Sequence, residues 1–204
     1  MADRPNDARG ERADRESLLV RPGLPDDLLL LRERYPREVW PNHRNLGQLA
    51  RMWLGRHGMF RELGTEIGAR TDGFRNGKAG DPATFMSWLA PRFNFFLREL
   101  HGHHMIEDQH YFPVFRAADN HLARGFDILD ADHETIDRFI HELAEAGVAL
   151  DRAIASGNAT DGESVLLAER LHATLGALHR HLDDEEDLIV PLILDRSEAG
   201  LGVG

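Results

Sequence analysis

The stretch His101-Gly102-His103-His104-Met105-Ile106-Glu107-Asp108-Gln109-His110-Tyr111-Phe112-Pro113 returns as His179-Arg180-His181-Leu182-Asp183-Asp184-Glu185-Glu186-Asp187-Leu188-Ile189-Val190-Pro191. Histidine, glutamate and proline recur in register at a constant offset of 78 residues. Four residues make about one turn of α-helix, so His103 and Glu107 share a face, as do His181 and Glu185. An imidazole and a carboxylate from each of two helices are the donors a buried cation needs. The repeat therefore predicts a metal site built from two similar halves.

Outward from the repeat, the apolar residues follow a helical period. Helix A is expected from about 42 to 70, through Leu46, Leu49, Trp53, His57, Phe60, Leu63 and Ile67. A glycine-rich loop follows, from Thr71 to Gly80. Helix B opens at Asp81-Pro82, an N-cap and first-turn proline, and reaches about Tyr111, where Pro113 breaks it. Helix C is expected over about 122–156, and helix D from about Asp161 through Pro191. Nothing in the chain has the period-two, β-branched pattern of a strand. The predicted fold is all-α, an up-down-up-down four-helix bundle over 42–196, with a C-terminal tail over 197–204. Residues 1–41 read as a disordered tail through about residue 17, then a short helix around Leu28–Leu31. Val39 and Trp40 read as a packing lid. His57 and His133 differ by 76, close to the repeat offset, so A–B and C–D read as two related hairpins.

Composition removes whole classes of function. The 204 residues contain no cysteine, which excludes disulfides, zinc–thiolate sites, iron–sulfur clusters and thiol catalysis. A formal net charge of −11 disfavours nucleic acid. No run of apolar residues is long enough for a membrane span, and no signal-peptide pattern is seen, so the expected location is the cytoplasm. No nucleophile–base set or phosphate loop is visible.

The expected metal ligands are His57, His103, His133 and His181 as terminal nitrogens, with Glu107 and Glu185 as bridges. A sulfur-free set of imidazole and carboxylate suits iron, with zinc or manganese as options. His104 and Asp137 are open as further ligands. His101 and His179 are expected to face away, Asp108 and Glu186 to support a histidine or face water, and the rest of the Asp183–Asp187 run to be a wet face. Trp88, Phe93, Phe95 and Phe96 are expected in the core, and His43, His110, His121, His141 and His172 in packing or solvated roles. A rival di-iron arrangement would pair Glu107-x-x-His110 with Glu169-x-x-His172, adding Glu62 or Glu66 and Glu134 or Glu142. Its spacing of 62 departs from the internal repeat.

These residues resemble the hemerythrin-like family, the HHE cation-binding domain. His57, the His103/Glu107 signature ending in Tyr111-Phe112-Pro113, His133 within Asp132-His133-Glu134, and the His181/Glu185/Glu186/Pro191 repeat carry the resemblance over about 42–195. It implies an up-down four-helix bundle holding two non-haem iron ions. Oxygen-carrying members have a histidine where this chain has Asp137, which leaves His104 as the obvious source of a fifth nitrogen. The expected role is binding or sensing O2, NO or peroxide, or handling iron. The alternatives are a di-iron oxidase or peroxidase, and a helical interaction module with a structural metal. A homodimer is left open, as is whether the chain is an enzyme.

Overall fold

The structure is a computed structural model and describes residues 14–78, 80–158 and 160–203. Among the described residues the secondary structure is entirely helical. Four long helices dominate: α2 (Gln48–Arg75), α3 (Pro82–Ile106), α5 (Ala123–Ala155) and α6 (Asp161–Arg196). Shorter pieces are α1 (Leu30–Arg34), α4 (Phe112–Ala118) and α7 (Glu198–Leu201), with 3-10 turns at Asp26–Leu28, Arg37–Asn42 and Asn120–Leu122. No helix is long and apolar enough to cross a membrane. The disorder expected for residues 1–13 lies outside the described residues; residues 14–16 form a helical turn and Leu18 is buried.

Local chemistry explains the long helices' ends. Asp81 accepts the backbone N–H of Thr84 at 2.9 Å and caps α3 just before Pro82. Helices α2 and α5 end in the same way. Gly77 (φ 69°) and Gly157 (φ 67°) take the left-handed conformation that glycine adopts without Cβ strain. The following N–H groups of Lys78 and Asn158 reach back to the carbonyls of Gly73 and Ala153. Helix α2 thus runs further into the glycine-rich segment than periodicity suggested. Pro113 does not break the second long helix: a π-helical segment, Glu107–Tyr111, carries the chain from α3 into α4.

The chain condenses into two compact units: one holds segments of α2, α5 and α6 with α4, the other holds segments of the same three helices with α3. One unit contains the described residues up to Leu54, then Glu107–Thr135, then those from Arg180 onward. Its core gathers Trp53, Phe112, Phe115, Phe126, Leu129, Leu188 and Ile193. The N-terminal segment adds Leu24, Leu28 and Trp40 to that core, while Val39 is exposed. The other unit contains Gly55–Ile106 and Ile136–His179. Its core includes Phe60, Ile67, Phe85, Phe96, Leu100, Ile136, Leu143, Leu167 and Leu171. Phe74 stacks on Phe85 with ring centroids 4.2 Å apart. Gly147 lets helix α5 approach closely, since a Cβ there would lie 2.8 Å from the Phe93 ring.

Two residues expected in the core are outside it. Phe95 is 39% exposed. Trp88 is half-buried, with the guanidinium groups of Arg70 and Arg92 lying 5.0 and 4.8 Å from its ring centroid. An indole face attracts cations, so this site keeps its edge to water. Phe85, by contrast, is fully enclosed at the end of α3 remote from His103. Phe85→Ala should therefore lower stability by about 3–5 kcal/mol in urea unfolding while leaving metal uptake per folded chain unchanged.

Candidate metal centre

Helical spacing brings each histidine to the interior. In α2, Trp53, His57 and Phe60 lie on one stripe, and all three are buried. His103 closes the last turn of α3, and its ring packs 5.3 Å from that of Phe60. The Nε2 atoms of His57 and His103 face each other at 3.1 Å. In α5 and α6 the same relation recurs, with His133 Nε2 and His181 Nε2 also 3.1 Å apart. Two imidazoles bound to one ion at about 2.0–2.1 Å, roughly at right angles, would have their nitrogens about 3 Å apart. Both pairs have that spacing.

The outer ring nitrogens are held by acids. His133 Nδ1 donates to Asp108 Oδ1 at 2.7 Å, and His181 Nδ1 donates to Asp132 Oδ2 at 3.2 Å. A carboxylate on Nδ1 fixes the proton there and presents Nε2 inward. His181 Nε2 lies 3.3 Å from Glu185 Oε2, and His133 Nε2 lies 3.6 Å from Glu107 Oε2. Donor atoms of His57, His103, Glu107 and Glu185 fall within 4.8 Å of one another, and those of His104, His133 and His181 do likewise. Glu107 and Glu185 therefore approach both histidine pairs. They are 1% and 0% exposed.

Of the six side chains named from the sequence, His57, His103, Glu107 and Glu185 fall in the first of these groups and His133 and His181 in the second. The structure also separates the two open candidates. His104 is buried and joins His133 and His181. Asp137 is 39% exposed and lies 3.1 Å from the outward-facing His101. Of the rival set, His110 and Glu169 are exposed, and His172 pairs with Asp72 at 2.9 Å on the outside.

Further interior contacts were not foreseen from the sequence. The indole N–H of Trp53 donates to Glu185 Oε1. Its position one turn before His57 was the available signal. The acidic run is not a wet face: Asp184 and Glu186 are buried. Arg21 bonds Asp184 with Nε at 3.0 Å, and Arg37 bonds Glu186 at 2.8 Å and Asp187 at 2.8 Å. Arg21 also engages both oxygens of Asp132. Burial works against its charge, but the hydrogen bonds and charges of the two aspartates leave its pKa above the ordinary arginine value. Burial would raise Asp132, yet hydrogen bonds from Arg21 and His181 hold its pKa below the usual range. For Asp184 burial wins and its pKa is raised, despite Arg21 and the Leu24 N–H.

The donor set fits a cation. It offers nitrogen and oxygen without sulfur, and it carries surplus negative charge. Glu107, Glu185, Asp132, Asp184 and Glu186 are five buried carboxylates, against the guanidinium groups of Arg21 and Arg37. Unbalanced buried charge costs several kcal/mol per ion. Without metal, protons must supply the difference. Burial would depress the His181 pKa, but its bonds to Asp132 and Glu185 raise it from 6.5 to about 9. A raised histidine pKa adds stability that is complete below the unfolded value and lost as pH climbs through the folded one. Thermal melts of metal-free protein should therefore show stability falling from about pH 6.5 to about pH 9. Were His181 a ligand, metal would engage its lone pair and this decline would vanish in loaded protein.

No match was found among curated proteins or among solved structures. The family model described as the hemerythrin HHE cation binding domain matches residues 48–199, a span that contains every one of the converging histidines and glutamates. The chain belongs to the hemerythrin HHE cation-binding family.

Proposed function

We propose that this chain holds a dinuclear iron centre and uses it to bind or sense a small ligand such as O2, NO or peroxide. The observation that carries this reading is the position of the two carboxylates, each within reach of both imidazole pairs. One cation would be held by His57 and His103, the other by His133 and His181, with Glu107 and Glu185 shared. His104 completes the second set, which restores the fifth nitrogen that Asp137 does not supply. The two halves are then unequal, and the ion with two histidines keeps room for an incoming molecule. Iron held there would supply a reversible change of charge and an open coordination position.

The chain's own groups do the rest. Trp53 anchors one oxygen of Glu185, which leaves the other directed at the His181 side. Asp108 and Asp132 hold the imidazoles in the orientation that keeps their lone pairs inward. The apolar shell of Phe60 and Phe112, with ring centroids 5.3 Å from His103 and His133 respectively, limits water near the donors. Binding or sensing is favoured over turnover of an organic substrate because the sequence carries no nucleophile–base motif or phosphate loop.

The decisive experiment is anaerobic reconstitution with ferrous iron, metal analysis, and a visible spectrum on adding O2 or NO. Two irons per chain and a new absorption band at stoichiometric ligand are expected. Fewer than one metal per chain would overturn the dinuclear reading, and sustained peroxide or O2 consumption would favour an oxidase instead. Two variants refine the ligand set. His104→Ala should reduce the iron content or alter the spectrum, whereas Asp137→Ala should leave both as they are. Equal effects from the two would remove His104 from the centre.

A further inference from the structure

The N-terminal segment precedes the span matched by the family model, yet it reaches the interior. Arg21 is 2% exposed. Its guanidinium meets Asp132 along two parallel directions, NH1 to Oδ1 at 2.6 Å and NH2 to Oδ2. Its remaining edge bonds Asp184 Oδ2, through Nε at 3.0 Å and NH2 at 2.8 Å, and NH1 also donates to the Glu16 carbonyl at 2.9 Å. The segment is pinned on either side. Arg180 donates to the Leu18 carbonyl at 2.5 Å, and the Leu24 N–H donates to Asp184 Oδ1 at 3.1 Å. Arg21 is therefore held at a fixed place between α5 and α6.

Asp132 Oδ2 has two partners, Arg21 on one side and His181 Nδ1 on the other. A planar two-pronged guanidinium sets the plane of a carboxylate in a way a lysine ammonium cannot. With that plane fixed, the direction of the bond to His181 is fixed as well, and so is the rotation of the imidazole. We propose that Arg21 is a positioning residue of the metal centre, acting through Asp132 to orient the His181 ring. The N-terminal segment is then a working part of the site. The link to metal rests on the reading of His181 as a ligand, whereas the orientation of the ring can be read without metal.

The test compares full-length wild type with Arg21→Lys, which keeps the buried charge but loses the fork, and Arg21→Gln, which loses both. Arg37→Gln is the control. It releases the same N-terminal segment from Asp187 and Glu186 without removing a partner of Asp132. Metal-free protein labelled with 15N-histidine is examined by NMR for the hydrogen-bonded His181 Nδ1–H signal, and ferrous iron affinity is measured in parallel. Both Arg21 variants should shift or lose the His181 signal and weaken iron binding by roughly 10–100-fold. Arg37→Gln should leave the signal in place. An unchanged His181 signal in Arg21→Lys, or an equal change in Arg37→Gln, would overturn the proposal. Should Arg21→Gln fail to fold, Arg21→Lys alone decides. If wild type takes up no iron while the His181 signal still depends on Arg21, the dinuclear reading fails and the positioning role stands.

Discussion

Buried negative charge is the constraint from which the rest of the structure follows. A carboxylate removed from water is tolerated only beside a cation or a set of good donors. Here five are enclosed near one set of histidines. Asp132, Asp184 and Glu186 are met by arginines brought from the N-terminal segment, and Trp53 gives an N–H to Glu185. What is left over is concentrated on Glu107 and Glu185, where the imidazole nitrogens converge. The arrangement pairs the outer carboxylates with guanidinium groups and gathers the inner ones beside imidazoles. That is the electrostatic form of a cation site.

The inward-facing histidines and glutamates were legible because a helix imposes a period. Four-residue spacing, repeated at a constant offset, can place side chains on one interior face without any knowledge of the loops. The same reasoning recovered the four long helices and the Asp81 cap. It failed where partners are far apart in the chain. Arg21 meets Asp132 and Asp184 across 111 and 163 residues, and no local pattern announces such a pairing. The acidic run was misread for a simpler reason. Successive residues are about 100° apart on a helix. With Glu185 inward, its neighbours Asp184 and Glu186 are drawn towards the interior, and the rest of the run is not a wet face. Phe95 and Trp88 show the reverse error, since aromatic character alone does not say which side of α3 is enclosed.

The two halves of the repeat are similar without being equal. Their glycine caps match, and each supplies a histidine pair at the same separation. The first half, however, carries an extra buried histidine and a π-helical segment that begins at Glu107. Wide turns of this kind are often found at functional sites, because they redirect side chains within a continuous helix. The second half runs through Pro191 in ordinary α-helix. In the dinuclear reading proposed above, inequality between the halves would give the two positions different surroundings, so that one could react while the other stayed fixed.

The ion pair between Arg21 and Asp184 joins residues separated by most of the chain. Contacts of such high sequence separation require a large loop to close, and loop closure of this kind slows folding compared with local helix formation. Helices α2 and α3 can form from local contacts as soon as they emerge from the ribosome, but the His181 side has no outer support until α6 has been synthesised and the N-terminal segment has docked on it. A metal centre of the kind proposed would thereby be completed only after α6 has formed and the N-terminal segment has docked.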